Sequence, residues 1–168
     1  DFIYEKDIQS GRTKTEHRDC QLARLALTDD EMVFENADLV IEAIFENLEA
    51  KQNLIKQVEN IASPETIIAS NTSYIDLDEI AEVSLRPENI VGIHFFNPAY
   101  IMRLVEVIHG NHTSQQVITT AFAFVQKLNK LPIICKNSFG FIGNRIYAAY
   151  RYQSELMLEE GALPYQID

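Results

Sequence analysis

The chain has 168 residues, a formal net charge of -11 and 46% hydrophobic residues. That length holds one ordinary domain, or one domain with part of another, and the composition is that of a globular protein. The acidic balance argues against nonspecific nucleic-acid binding, which draws on Lys and Arg at phosphates, and no apolar run approaches the roughly 18 residues of a membrane span.

The opening segment DFIYEKDIQSGR lacks the basic start and apolar centre of a signal peptide. An amphipathic pattern begins at once with Phe2 and Ile3, with no cap in front, and Gly11 can end it; the chain is predicted to start inside a helix. Thr13 with Glu16 fits a capping box for a short helix, and residues 24–28 fit a strand. ADLVIEAI, residues 37–44, is a continuous apolar run of the kind that forms a strand buried on both faces in a parallel sheet.

In the next segment Leu54, Ile55, Val58, Ile61 and Ala62 share one helical face, and Pro64 marks the exit. TIIAS, residues 66–70, then supplies a second buried strand, so the three elements make a β-α-β crossover and the fold class is α/β. A shorter helix is expected around residues 73–81, a strand at NIVGIHFF, residues 89–96, and another at RLVEVI after a loop holding Asn97 and Pro98. So short a connection requires an antiparallel pair, which turns the sheet's direction. Thr113 with Gln116 reads as a second capping box, before the helix VITTAFAFVQKL; residues 131–135 form a last strand, and a helix runs from Phe141 to about Glu160, closed by Gly161. The two cysteines, Cys20 and Cys135, lack metal-ligand spacing and read as reduced thiols, which favours a reducing compartment.

The hairpin holds the ionisable pair of interest. If it is symmetric about Tyr100, His94 lies directly across from Glu106 on one face of the sheet. The carboxylate then fixes the tautomer of the imidazole and aims its other nitrogen at a ligand. On spacing alone, a structural histidine beside a surface glutamate remains the alternative. Polar clusters also follow the strands: Glu46 and Asn47, the SNTS segment at residues 70–73, and Asn97. In open α/β sheets ligands bind outside the carboxyl ends of the strands, where these clusters would converge.

Taken in order, ADLVIEAIFEN, Lys51 on the following helix, ASNTS, HFFNP, RLVEVI and NSFGFIGNRI resemble the L-3-hydroxyacyl-CoA dehydrogenases of fatty-acid β-oxidation, from about Leu22 onward. The ending MLEEGALPYQID is most similar to the dehydrogenase part of the multifunctional β-oxidation enzymes. The resemblance implies NAD-dependent oxidation of the 3-hydroxyl of an acyl-CoA to a ketone, without a metal. It assigns His94 as base, Glu106 as its partner, Ser73 to both substrate and cofactor, and Asn144 to the substrate oxygen. Ile44, Phe45, Glu46, Lys51 and Asn97 match positions lining the NAD site. It also implies a homodimer or a place in a multifunctional complex, in the cytoplasm of a bacterium or in a mitochondrion or peroxisome.

The sequence departs from this pattern in lacking a glycine-rich turn and the acidic residue that the family uses to bind the adenine ribose. The family opens with a strand and a G-x-G-x-x-G turn that seats the pyrophosphate on a helix N-terminus. Here only Gly140 and Gly143 lie close together, within GFIGNR. The expectation is therefore a Rossmann-like sheet lacking its first β-α-β unit: residues 1–136 would be the C-terminal part of an NAD-binding domain and residues 137–168 the start of a helical C-terminal domain. These residues alone are expected to show little dehydrogenase activity, and a noncatalytic structural or interaction protein of the same fold, or an inactive fragment, is the alternative.

Overall fold

The computed structural model describes residues 2–167. The chain divides into two compact units, Asp1–Glu31 and Met32–Asp168. The first unit is helical: α1 spans Phe2–Gln9, and Gly11 ends it with φ +73°. Only a residue without Cβ adopts that left-handed turn at no steric cost, as the sequence predicts. Helix α2 spans Thr15–Leu22, but its N-cap is Lys14, with no side-chain cap. The Thr13 capping box is therefore corrected by one residue, and the hydroxyl of Thr13 caps nothing. Residues 24–28 form no strand; Leu25 and Leu27 are exposed, so nothing offers that segment a ladder.

The second unit is built on a five-stranded sheet in the order β1-β2-β3-β4-β5, formed by Leu39–Glu42, Ile67–Ser70, Ile90–Phe95, Leu104–His109 and Leu131–Lys136. Strands β1, β2 and β3 run parallel, β4 is antiparallel to β3, and β5 is parallel to β4. The reversal at β4 falls where the short loop requires it. The predicted fully buried first strand is shorter than the 37–44 run, and Ile41 within it is exposed. Among the described residues β1 pairs with β2 alone, so part of its apolar surface has no neighbour.

Helix α3, Leu48–Ile61, connects β1 to β2 and buries Ile55 and Val58. Its start is set by Asn47, whose side chain accepts a hydrogen bond from the Ala50 amide at 2.9 Å. Helix α4, Leu77–Ala81, is capped by Asp76 and is shorter than expected. Helix α5, Gln115–Lys127, begins one residue later than the second capping box implies: Ser114 is its N-cap and accepts from the Val117 amide. Thr113 is engaged elsewhere, donating to the Ile90 carbonyl and accepting from the Gly110 amide. Helix α6 follows at Gly143–Glu159 and the short α7 at Pro164–Ile167.

The pleat separates two apolar cores. On one face Ile68, Ile90 and Ile108 pack with Ile55 and Val58 of α3, Leu77 and Ile80 of α4, and Phe141. On the other, Ala69, Val91, Ile93, Val105 and Val107 pack against Val117, Ala121 and Val125 of α5. Gly92 is required by close approach, since a Cβ there would lie 2.8 Å from the Cβ of Ile108. His94 and Glu106 stand on the α3 face, in step with Ile90 and Ile108 along β3 and β4.

Both cysteines are free; Cys20 is exposed and Cys135 buried. Burial, helped by the negative charge of Glu106, pushes the Cys135 thiol up to about 11. A thiol reagent at neutral pH is expected to modify Cys20 rapidly and Cys135 only after denaturation, because the thiolate is the reactive form. Equal labelling of both in the native protein would contradict this packing.

Candidate active site

The antiparallel ladder pairs His94 with Glu106, and Gly92 with Ile108, in the register expected for a hairpin symmetric about Tyr100. The His94 Nδ1 lies 2.8 Å from Glu106 Oε2, and both side chains are buried. A carboxylate only accepts, so Nδ1 carries the hydrogen and the lone pair of the neutral ring sits on Nε2. That nitrogen faces Ser73 Oγ at 3.3 Å. Ring packing against Phe96 and Phe141, with centroids 4.8 and 5.7 Å away, fixes the imidazole plane.

Glu106 has a second task. Its Oε1 accepts from the amides of Ile142 and Gly143 at 2.9 and 2.8 Å, so it caps the N-terminus of α6, which has no side-chain cap of its own. Burial works to raise its carboxyl, but the hydrogen bonds from His94, Gly143 and Ile142 and the His94 charge outweigh it and hold it below the ordinary value. The carboxylate is therefore ionised at neutral pH. The glycine of this turn is sterically required: a Cβ on Gly143 would lie 2.6 Å from the Phe96 ring. The capping role of Glu106 was not foreseen from sequence, because it depends on where α6 returns to the sheet.

Ser73 is half-buried in the turn after β2, and Asn144, in the first turn of α6, donates to its backbone carbonyl at 3.2 Å. Glu46, after β1, lies beside the same turn and accepts from Thr72 Oγ1, the Ser73 amide and the Tyr74 amide. Burial acts to raise the Glu46 carboxyl, yet these hydrogen bonds and the Lys51 charge hold it below its ordinary value. Asn71, also after β2, accepts from the Phe95 amide at 2.9 Å and ties that turn to the end of β3. Ile44, Phe45 and Asn97 are exposed around this rim. Thus His94, Glu106, Ser73, Asn144 and Glu46 form one connected cluster at the strand ends.

Lys51 differs from the other rim residues in that its ammonium turns inward. It is 1% exposed and bonds both carboxylate oxygens of Glu42, at 2.9 and 2.8 Å. Glu42 was missed as a site residue because it sits within an apolar run. The available signal was Lys51 itself, which shares the inward stripe of α3 with Ile55 and Val58 and so needs a buried acid opposite it.

A polar cluster at the C-terminal ends of parallel strands, joined to a buried His–Glu pair, stands where open α/β sheets bind dinucleotides. The profile of the family "3-hydroxyacyl-CoA dehydrogenase, NAD binding domain" matches residues 3–138, and the chain belongs to that family. It is 41% identical over 133 residues to the peroxisomal bifunctional enzyme of Danio rerio, covering 79% of this chain and 18% of that protein. Among solved structures it is similar to (S)-3-hydroxybutyryl-CoA dehydrogenase from Ralstonia eutropha, with a TM-score of 0.96 and 36% identity over 99% of this chain and 59% of that one. The dehydrogenase part of multifunctional enzyme 1 from C. elegans gives a TM-score of 0.74 and 39% identity, covering 99% of this chain and 39% of that one. The chain thus spans about a fifth of the bifunctional relative and somewhat over half of the bacterial dehydrogenase.

Proposed function

We propose that this chain contributes the catalytic wall of an NAD-dependent oxidoreductase that converts an L-3-hydroxyacyl-CoA to the 3-oxoacyl-CoA in fatty-acid β-oxidation. The observation that carries the reading is the oriented dyad: Glu106 holds Nδ1 of His94 and leaves Nε2 directed at Ser73. Membership of the family and the names of the related dehydrogenases support it.

The residues present fit the nicotinamide end of a dinucleotide. Exposed Ile44 and Phe45 offer an apolar surface to a flat ring, and Glu46, Ser73 and Asn97 offer polar partners on the same rim as His94. A nicotinamide held there would supply the acceptor for the hydride that leaves C3 of the substrate. His94 Nε2 takes the hydroxyl proton as the C3–O bond becomes a carbonyl. Glu106 stabilises the resulting imidazolium, with no proton passing to the carboxylate. Ser73 and Asn144 hold the substrate oxygen in line with the base. Lys51 contributes from beneath the rim through the carboxylates it pairs with.

The same reading assigns residues 1–136 to the NAD-binding part and residues 137–168 to the start of a helical part, supported by the end of the family match at residue 138. The bifunctional and multifunctional relatives favour a place within a larger assembly. No described helix is long and apolar enough to cross a membrane, and one relative's name gives peroxisomal residence as the compartment to test.

The test is incubation of the intact enzyme with NAD+ and 3-hydroxybutyryl-CoA. NADH and acetoacetyl-CoA are expected in equal amounts. Binding of both compounds without turnover would overturn the catalytic reading in favour of a noncatalytic one.

A further inference from the structure

Lys51 is buried, yet every direction its ammonium offers is used. Two bonds go to Glu42, and the third side lies 3.4 Å from Glu46 Oε2. The two carboxylates in turn hold opposite ends of one turn. Glu42 accepts from the Ser70 hydroxyl, and Ser70 Oγ accepts from the Thr72 amide at 3.2 Å. Glu46 Oε1 accepts from Thr72 Oγ1 at 2.6 Å, the Ser73 amide at 2.8 Å and the Tyr74 amide at 3.0 Å. Ser73, the middle of the three residues that Glu46 holds, carries the hydroxyl that meets His94 Nε2.

We propose that Glu42, Lys51 and Glu46 form an ion-pair clamp that positions the Ser73 hydroxyl against His94, which makes Lys51 and Glu46 positioning residues. The proposal deepens the oxidoreductase reading and rests on it for its kinetic consequences. Stability alone is a weak reason for the arrangement, since a buried ion pair is commonly no more stabilising than well-packed apolar groups of the same volume. What the charges add here is direction. Lys51 fixes the separation of two carboxylates, one on the last residue of β1 and one in the segment that follows it, and each carboxylate fixes hydrogen-bond donors at the end of β2 or in the turn after it. Small displacements matter at this point, because misplacing a reacting group by an ångström costs on the order of a hundredfold in rate.

Thr72 separates positioning from direct contact with a ligand. It is fully buried, so it touches neither substrate nor cofactor, and its hydroxyl is one of the three donors on Glu46. Thr72→Val keeps its shape and leaves the buried ion pair intact, so the protein is expected to fold. Thr72 Oγ1 also accepts from the Ile75 amide at 2.9 Å, so the variant removes two hydrogen bonds of this turn; in the intact enzyme kcat should fall on the order of tenfold with KM for NAD+ unchanged. Without any ligand, Ser73 and Tyr74 amide hydrogens should exchange faster, and the His94 ring nitrogen signals in NMR should move. Glu46→Gln, which retains an acceptor oxygen, should keep more kcat than Glu46→Ala.

Wild-type kcat in Thr72→Val, or unchanged exchange and unchanged His94 signals, would overturn the clamp. So would losses in the Glu46 variants confined to KM for NAD+, which would make Glu46 a cofactor contact only. If the wild-type enzyme itself produces no NADH, the oxidoreductase reading fails separately, and the exchange and NMR results then decide the clamp without kinetics.

Discussion

Replacing Glu106 with alanine is expected to destabilise the protein by about 3–5 kcal/mol, the usual cost of breaking a buried, hydrogen-bonded pair from one side. The carboxylate is 1% exposed and serves three donors: His94 Nδ1 and the amides of Ile142 and Gly143. Alanine orphans all three in a space water does not reach, and each lost partner carries a desolvation cost of roughly 1–3 kcal/mol. Urea denaturation of wild type and variant measures the difference. A loss below about 1 kcal/mol, the range of an exposed ion pair, would mean that the cap and the dyad are not formed together. Glu106→Gln separates the two tasks. It keeps an oxygen for the α6 amides but turns an NH2 group toward Nδ1, so the protein should fold while the base nitrogen acquires the wrong tautomer. Acid acts on the same group. Because the folded carboxyl lies below its ordinary value of 4.5, its stabilisation is fully present above that pH and is lost as the pH falls through the lowered value. Acid unfolding should therefore be less steep in Glu106→Gln.

The largest kinetic effect is expected at His94. His94→Ala removes the nitrogen lone pair that meets Ser73 Oγ, and kcat should fall by about a hundredfold to ten-thousandfold, the contribution of a positioned general base. The residue lies under the rim and is 4% exposed, so cofactor binding should persist. Steady-state rates at saturating NAD+ and 3-hydroxybutyryl-CoA check this. Equal kcat in wild type and variant would remove His94 from the chemistry, whatever its geometry.

Much of this site was legible in the sequence because its geometry is set by short-range rules. The connection from β3 to β4 is too short for a crossover, so the strands pair antiparallel, and a register symmetric about Tyr100 then aligns His94 with Glu106. Helix α3 was legible from its apolar stripe and its proline exit. Capping was less so: Thr113 and Ser114 both suit an N-cap, and the choice depends on the Ile90 carbonyl, a tertiary partner that claims Thr113. The expected strand at residues 24–28 failed for a related reason, since β propensity realises nothing without an edge to pair with. Glu42 was hidden by its apolar neighbours, although a lysine on the buried stripe of α3 implied an acid facing it. The helix-capping role of Glu106 lay furthest from the sequence, because 36 residues separate its carboxylate from the Ile142 amide.

The most direct test of the central claim is a single-turnover experiment with enzyme in excess over 3-hydroxyacyl-CoA and saturating NAD+, comparing wild type with His94→Ala. In the intact enzyme, prompt NADH formation is expected in wild type and a much slower single phase in the variant, with NAD+ affinity retained. Equal rates of NADH formation in the two proteins would contradict the assignment of the His94–Glu106 pair as the catalytic base.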